Sequence, residues 1–294
     1  MLFGDSASPI AGDETINIHF TIVYDVFALL GFLSLSFVLC TALLSSRIHR
    51  STTWFLYIFS WVVYSLGLLL IIGHQGSTKP EFGICLAQAM VIYANPVFVA
   101  ASTTAYLLQI SLHLWGKAPL RHSQILLLVV PSVIFLLVLL EVLIVALLYP
   151  SMIEREASGM FCHTAHPLPG RLSACIVIFL FTVSIPIVFT ICRVLYRNKN
   201  FVRDRLNNEN SVYSVSLVLR VVLFHCILLI VLGISLAELL PGRRVNLPAL
   251  NALLGLLPAM AGLIFGSQRD ILRVLMRCPD ARGHDEYGKS QSTP

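Results

Sequence analysis

The sequence predicts an all-α membrane protein, a seven-transmembrane helix bundle followed by a short amphipathic eighth helix, and three observations predict it. Of 294 residues, 57% are hydrophobic and 12% charged, where a soluble domain carries about a quarter charged residues. The apolar residues gather into runs near the roughly 20 residues needed to cross about 30 Å of hydrocarbon, rather than recurring at core periodicity. Most Lys and Arg fall in short segments between those runs, as topology signals do. The net charge of +5 therefore reads as orientation rather than as a nucleic-acid face, and nucleic acid is set aside as a partner.

Seven runs follow in order, near residues 20–45, 53–73, 86–115, 124–149, 174–197, 216–240 and 247–266. The backbone within each must be helical, because lipid offers it no hydrogen-bond partners. The residues before the first run contain no Lys or Arg, and the run is too long for a signal-peptide core, so 1–19 reads as a retained extracellular segment. With the amino terminus outside, the inside set is Arg47, Arg50, Lys117, Arg121, Arg193, Arg197, Lys199, Arg203, Arg205, Arg220, Arg269, Arg273, Arg277, Arg282 and Lys289. Lys79, Arg155, Arg171, Arg243 and Arg244 remain outside, a bias of fifteen to five in the direction of the positive-inside rule. Residues 20–266 form the bundle, 267–278 a membrane-surface helix and 279–294 a disordered cytoplasmic tail. Pro96, Pro131, Pro186 and Pro258 fall inside spans, where membrane helices tolerate kinks.

Beyond the last span, Gly266 ends the helix, and Ser267 with Asp270 three residues on makes a start resembling a capping box. In SQRDILRVLMRC, Arg269, Arg273 and Arg277 recur every four residues beside Ile271, Leu272, Leu275 and Met276. This is the pattern of a helix lying on the inner membrane face. Cys278 at its end is a candidate for S-palmitoylation. Arg50, Gln109, Arg121, Arg203, Arg205 and Arg269 are candidates for contact with a cytoplasmic partner, although any one of these charges can serve topology alone.

Polar residues inside apolar runs are functional candidates by default: Asp25, Asn95, Gln109, Glu141, His225, Glu238 and Asn251. A buried contact between helices is the commoner use of each. Three thiols, Cys85, Cys162 and Cys175, lie on the oxidising side, where a disulfide is permitted; sequence alone leaves the pairing of Cys162 open. The nine histidines include no HExxH pattern, so a zinc hydrolase lacks its ligands. All four lysines lie in loops or the tail, so none can form a retinal Schiff base. No enzyme chemistry, metal or cofactor is expected.

Taken together, the seven spans with the amino terminus out, Cys85 and Cys162, Pro258 in the last span and the segment IFGSQRDILRV resemble a G-protein-coupled receptor. The last stretch is similar to orphan receptors of basidiomycete fungi, and the likeness covers about 20–278. It implies a Cys85–Cys162 disulfide, a plasma-membrane location, an unknown extracellular ligand and a heterotrimeric G protein as cytoplasmic partner. It also implies a ligand cavity among the outer halves of the third, fifth, sixth and seventh spans beneath the loop bearing Cys162. Tyr93, Asn95, Glu238 and Asn251 are the polar ligand candidates there, and the composition favours an apolar or lipid-like ligand. Gln109, Ile110 and Ser111 stand where rhodopsin-like receptors carry Asp-Arg-Tyr, and LLPAMAG surrounds Pro258 without the usual Asn and Tyr. The alternative from another class is a small seven-helix transporter or lipid-translocating protein, with Glu141 and His225 as its support.

Overall fold

The computed structural model describes residues 18–45, 48, 50–75, 80–116, 121–156, 158–197, 215–238, 247–268 and 271–272. Seven helices in it are long and apolar enough to cross a membrane: α1 (Ile18–Leu44), α2 (Thr52–Leu69), α3 (Phe82–Leu114), α4 (Arg121–Leu148), α5 (Pro167–Arg197), α6 (Val215–Glu238) and α7 (Leu247–Gly266). The chain is a multi-pass membrane protein with an all-α seven-helix bundle. Leu126, Leu136, Leu137, Leu147, Phe179, Phe189 and Leu263 are exposed on its flank, a surface that hydrocarbon covers without cost and water does not.

α3 is the central helix, packing on α2, α4 and α5, while α1 closes the ring against α7. The reason is the distribution of small side chains, which lets helix backbones approach when no hydrophobic force drives them together in lipid. A Cβ on Gly31 of α1 would lie 2.5 Å from Pro258 Cβ, and one on Gly262 of α7 would overlap Ser34. Between α2 and α3, Gly67 leaves room for Asn95, whose Nδ2 donates to Val63 O at 3.2 Å. Ser60 and Ser102 meet at 2.8 Å lower on the same interface. All four prolines expected within spans lie within helices.

Several features depart from the sequence reading. α2 stops at Leu69 and the chain turns through Gly73 at φ +85°, a backbone that glycine adopts freely. α5 starts at Pro167, seven residues before the expected span, because Pro167 and Pro169 fall in a first turn whose N–H groups need no helical acceptor. The long connection between α4 and α5 holds a two-stranded antiparallel hairpin, β1 (Ile153–Arg155) with β2 (Cys162–Thr164), in the register Ile153↔Thr164 and Arg155↔Cys162. These strands of three residues are too short to leave a periodic signal.

Of the segment expected to form the eighth helix, only 267, 268, 271 and 272 are described, with Leu272 N–H donating to Gln268 O at 3.0 Å. Arg203, Arg205, Arg269 and Cys278 lie outside the described residues, as do the tail and the side chains of Arg121 and Glu238.

Candidate functional site

The helices leave a cavity of about 350 Å³ in the half of the bundle nearer the hairpin. Trp61 and Tyr64 of α2, Ile92, Tyr93, Pro96 and Val99 of α3, and Ser173, Val177 and Phe181 of α5 form one side of its wall. Leu228, Val231, Leu232 and Ser235 of α6 with Leu254 and Leu257 of α7 form the other. The apolar wall follows from the spans themselves, since residues that face neither lipid nor a tight helix contact are drawn from the same hydrophobic composition. Its size falls at the lower end of the about 300–1,000 Å³ typical of small-molecule sites.

The hairpin lies across this end. Cys85 at the start of α3 is bonded to Cys162 at the start of β2, with Cα atoms 5.2 Å apart, while Cys175 is a free, exposed thiol. Gln88 Oε1 accepts Cys162 N–H at 2.8 Å, and Tyr93 Oη donates to Thr164 O at 3.3 Å. From α7, Asn251 Nδ2 reaches Ser158 Oγ at 3.4 Å. Nearby, Gln75 Nε2 donates to Asp25 Oδ1 at 2.8 Å, which gives the carboxylate of α1 a partner on the segment after α2.

Among the sequence candidates, Tyr93 is in the cavity wall. Asn95 faces α2 and Asn251 faces the hairpin, so both hold structure around the cavity rather than line it. Glu141 is on α4 behind Tyr93, its two carboxylate oxygens buried and without a hydrogen bond among the described residues, and it is within electrostatic reach of His166. His225 is under the cavity floor, its Nε2 2.8 Å from Ser184 Oγ. Ser184 donates its proton to Phe181 O at 2.6 Å, so His225 supplies the Nε2–H that joins α6 to α5.

From the floor an unbroken line of ring contacts leads away from the hairpin. Trp61 meets Phe224 with centroids 5.2 Å apart, Phe224 meets Phe265 at 5.9 Å, Phe265 meets Tyr57 at 5.4 Å, and Tyr57 stacks on Tyr106 at 5.6 Å. All five rings are buried. Each such pair adds about 0.5–1.5 kcal/mol beyond area burial, so the line ties α2, α3, α6 and α7 into one packed unit.

At the opposite end of the bundle two arginines hold the end of α7. Arg220 of α6 donates through Nη1 to Ile264 O and Ser267 Oγ, and through Nη2 to Ser267 O at 3.2 Å. Ile264 O and Ser267 O are carbonyls at the C-terminal end of the helix, where intrahelical donors run out and positive charge is favourable. Arg50 donates from Nη2 to Gln268 Oε1 at 3.1 Å and stacks over Trp54. Gln109 is buried and accepts the hydroxyl proton of Thr53 at the start of α2, which makes it a helix contact rather than a surface group.

Sequence reasoning passed over Trp61, Ser173, Phe181 and Arg220. A signal existed for the last: Arg220 lies five residues inside an apolar run, where a charge is functional by default. The three wall residues carry none, because Trp, Ser and Phe are ordinary in any membrane helix. Among the described residues no three of His, Cys, Asp and Glu converge as metal ligands would. Comparison of the chain with family models and with curated proteins finds no match.

Proposed function

We propose that the chain is a plasma-membrane receptor of the G-protein-coupled type, akin to the orphan receptors of basidiomycete fungi, with its amino terminus outside and its carboxyl terminus in the cytoplasm. It binds a predominantly apolar ligand in the cavity beneath the hairpin and passes a shift of α6 and α7 to a heterotrimeric G protein. It is not an enzyme. The observation that carries this reading is the continuous path from Trp61 in the cavity wall, through Phe224 and Phe265, to the α7 end held by Arg220. A ligand that prefers one arrangement of the Trp61–Phe224 contact shifts the population of arrangements at Arg220, which is all that transduction requires.

The Lys and Arg bias supports the orientation, with Arg121, Arg203, Arg205 and Arg269 adding positive charge for the partner. The missing Asp-Arg-Tyr triplet is consistent with a different restraint, and the Arg220 clamp on α7 serves in its place. Transport is the weaker reading. It calls for ionisable groups facing the solute near the midplane, whereas Glu141 and His225 stand outside the cavity wall. The test is guanine-nucleotide exchange by heterotrimeric G proteins on the full chain in vesicles, comparing the native protein with Arg220→Gln. Raised exchange in the variant supports the receptor, with Arg203→Ala and Arg269→Ala lowering it. No exchange on any G-protein class with either protein sinks the reading.

A further inference from the structure

Resting on the receptor reading of the cavity, we infer that the ligand is a neutral lipid with a small hydroxyl or carbonyl head. It enters sideways from the bilayer between α5 and α6 and is held at its head by Ser173.

Charge is decided by the wall. Among the described residues no Asp, Glu, Lys, Arg or His lines the cavity, so an ion entering it is desolvated without a counter-charge from them, a large penalty in a low-dielectric site. Polarity is decided by Ser173. Of the other wall hydroxyls, Tyr93 donates to Thr164 O and Ser235 to Val231 O at 2.9 Å, which leaves Tyr64 as the one companion to Ser173. Ser173 Oγ is buried, with the residue 6% exposed, and has no hydrogen-bond partner among the described residues. A hydroxyl can donate and accept, and leaving it unmet in an apolar wall is unfavourable. An alcohol or carbonyl head meets it. Size is decided by the volume, too small for a two-chain phospholipid and sufficient for a compact ring system or for the head and upper part of a single chain whose end remains in the bilayer.

The route follows from the packing. Toward the aqueous end the hairpin is pinned on α3 by Cys85–Cys162 and on α7 by Asn251. On the lipid side, α5 and α6 scarcely approach each other along their backbones, although both pack on the central helix. Their described hydrogen-bonded bridge is His225 with Ser184, below the cavity. Ala174, a wall residue, is exposed, and the flanking Phe179 and Ile230 are 66% and 63% exposed. A molecule arriving there comes from the hydrocarbon, not from water.

The experiment uses the full chain in phosphatidylcholine nanodiscs and a hexadecanol carrying a diazirine on its chain. After irradiation, labelled residues are mapped by mass spectrometry. Labelling at Val177, Leu228 or Val231 is expected, displaced by plain hexadecanol and about tenfold less well by hexadecylamine or hexadecanoate. Ser173→Ala weakens displacement about fivefold to tenfold, and Ser173→Thr, which keeps the hydroxyl, restores it. Leu232→Trp, filling the cavity from its α6 wall, abolishes cavity labelling, while Leu136→Trp on the exposed face of α4 leaves it intact. If Leu232→Trp does not fold, Val231→Phe replaces it. Labels confined to exposed residues such as Phe179, equal displacement by the charged analogues, or no effect of Ser173→Ala each overturn the inference. The readout is occupancy: displaceable labelling without nucleotide exchange leaves the ligand class standing and removes the receptor, whereas exchange driven by a charged, water-soluble ligand removes the ligand class alone.

Discussion

Arg220 on α6 donates to both the hydroxyl and the carbonyl oxygen of Ser267, just past the end of α7. One cation thus satisfies two groups of the adjoining helix end and fixes the spacing of α6 and α7 where their backbones pack thinly. Replacing it with glutamine keeps a donor and removes the charge-assisted strength. Spin labels on the exposed Leu219 and Leu263 should then report a longer and broader distance distribution than in the native protein. An unchanged distribution means that backbone packing, and not the arginine, sets the spacing.

The disulfide closes a loop of 77 residues in sequence separation. Chain entropy sets an upper bound of about 4.5 kcal/mol for such a closure, and membrane insertion of α3 and α4 before bonding lowers it. Replacing Cys85 and Cys162 together by serine should lower the melting temperature in detergent and expose the hairpin to protease. Cys175→Ser should leave both unchanged.

Gly262 and Gly233 make an internal contrast. A side chain at Gly262 meets Ser34 and the α1 backbone, whereas one at Gly233 meets nothing within 4 Å. Gly262→Leu should therefore separate α1 from α7 and destabilise by about 1–3 kcal/mol or more. Gly233→Ala should be neutral or stabilising by about 0.5–1 kcal/mol. Thermal melts of both variants, run side by side, decide it.

Phe224 joins the cavity wall to the rings below it. Phe224→Leu keeps an apolar side chain and breaks the edge contacts to Trp61 and Phe265. Coupling residues of this kind act at about 0.5–2 kcal/mol, so ligand-driven exchange should fall severalfold while displacement of the lipid probe stays as in the native protein. A parallel loss of both would make Phe224 a binding residue instead.

The His225–Ser184 bridge is the simplest to measure. Interhelical hydrogen bonds in membranes average about 0.6 kcal/mol, and a double-mutant cycle of Ser184→Ala with His225→Leu should return a coupling of that order. A value near zero would mean that ring packing of Phe181 on His225 accounts for the contact.

The seven spans were legible because hydrocarbon imposes a length and a composition on any helix that crosses it, and no tertiary contact is needed to see either. Pro96 and Pro258 could be placed within spans for the same reason. The part of the wall that sequence missed, nearly all of it beyond Tyr93, depends on rotation about the helix axis. Leu126 and Leu257 are equally apolar in the sequence, yet one is exposed on α4 and the other is in the cavity wall. A bilayer removes the polar face that marks the inner side of a soluble helix. Ser173 illustrates it: a serine in a span commonly donates to its own backbone, as Thr182 does to Ile178 O at 2.7 Å, and only coordinates reveal one that does not.

The closure of α1 on α7 sets the order in which the molecule can be completed. Synthesis delivers α1 first and α7 last, so the surface of α1 around Gly31 and Ser34, shaped to receive Pro258 and Gly262, waits through the insertion of five intervening helices. Until the final helix emerges, Tyr24 and Ser34, which pack on Gly255 and Gly262, lie on an unsealed seam. A chain that lacks α7 therefore bears its exposed defect on its first helix, not its last.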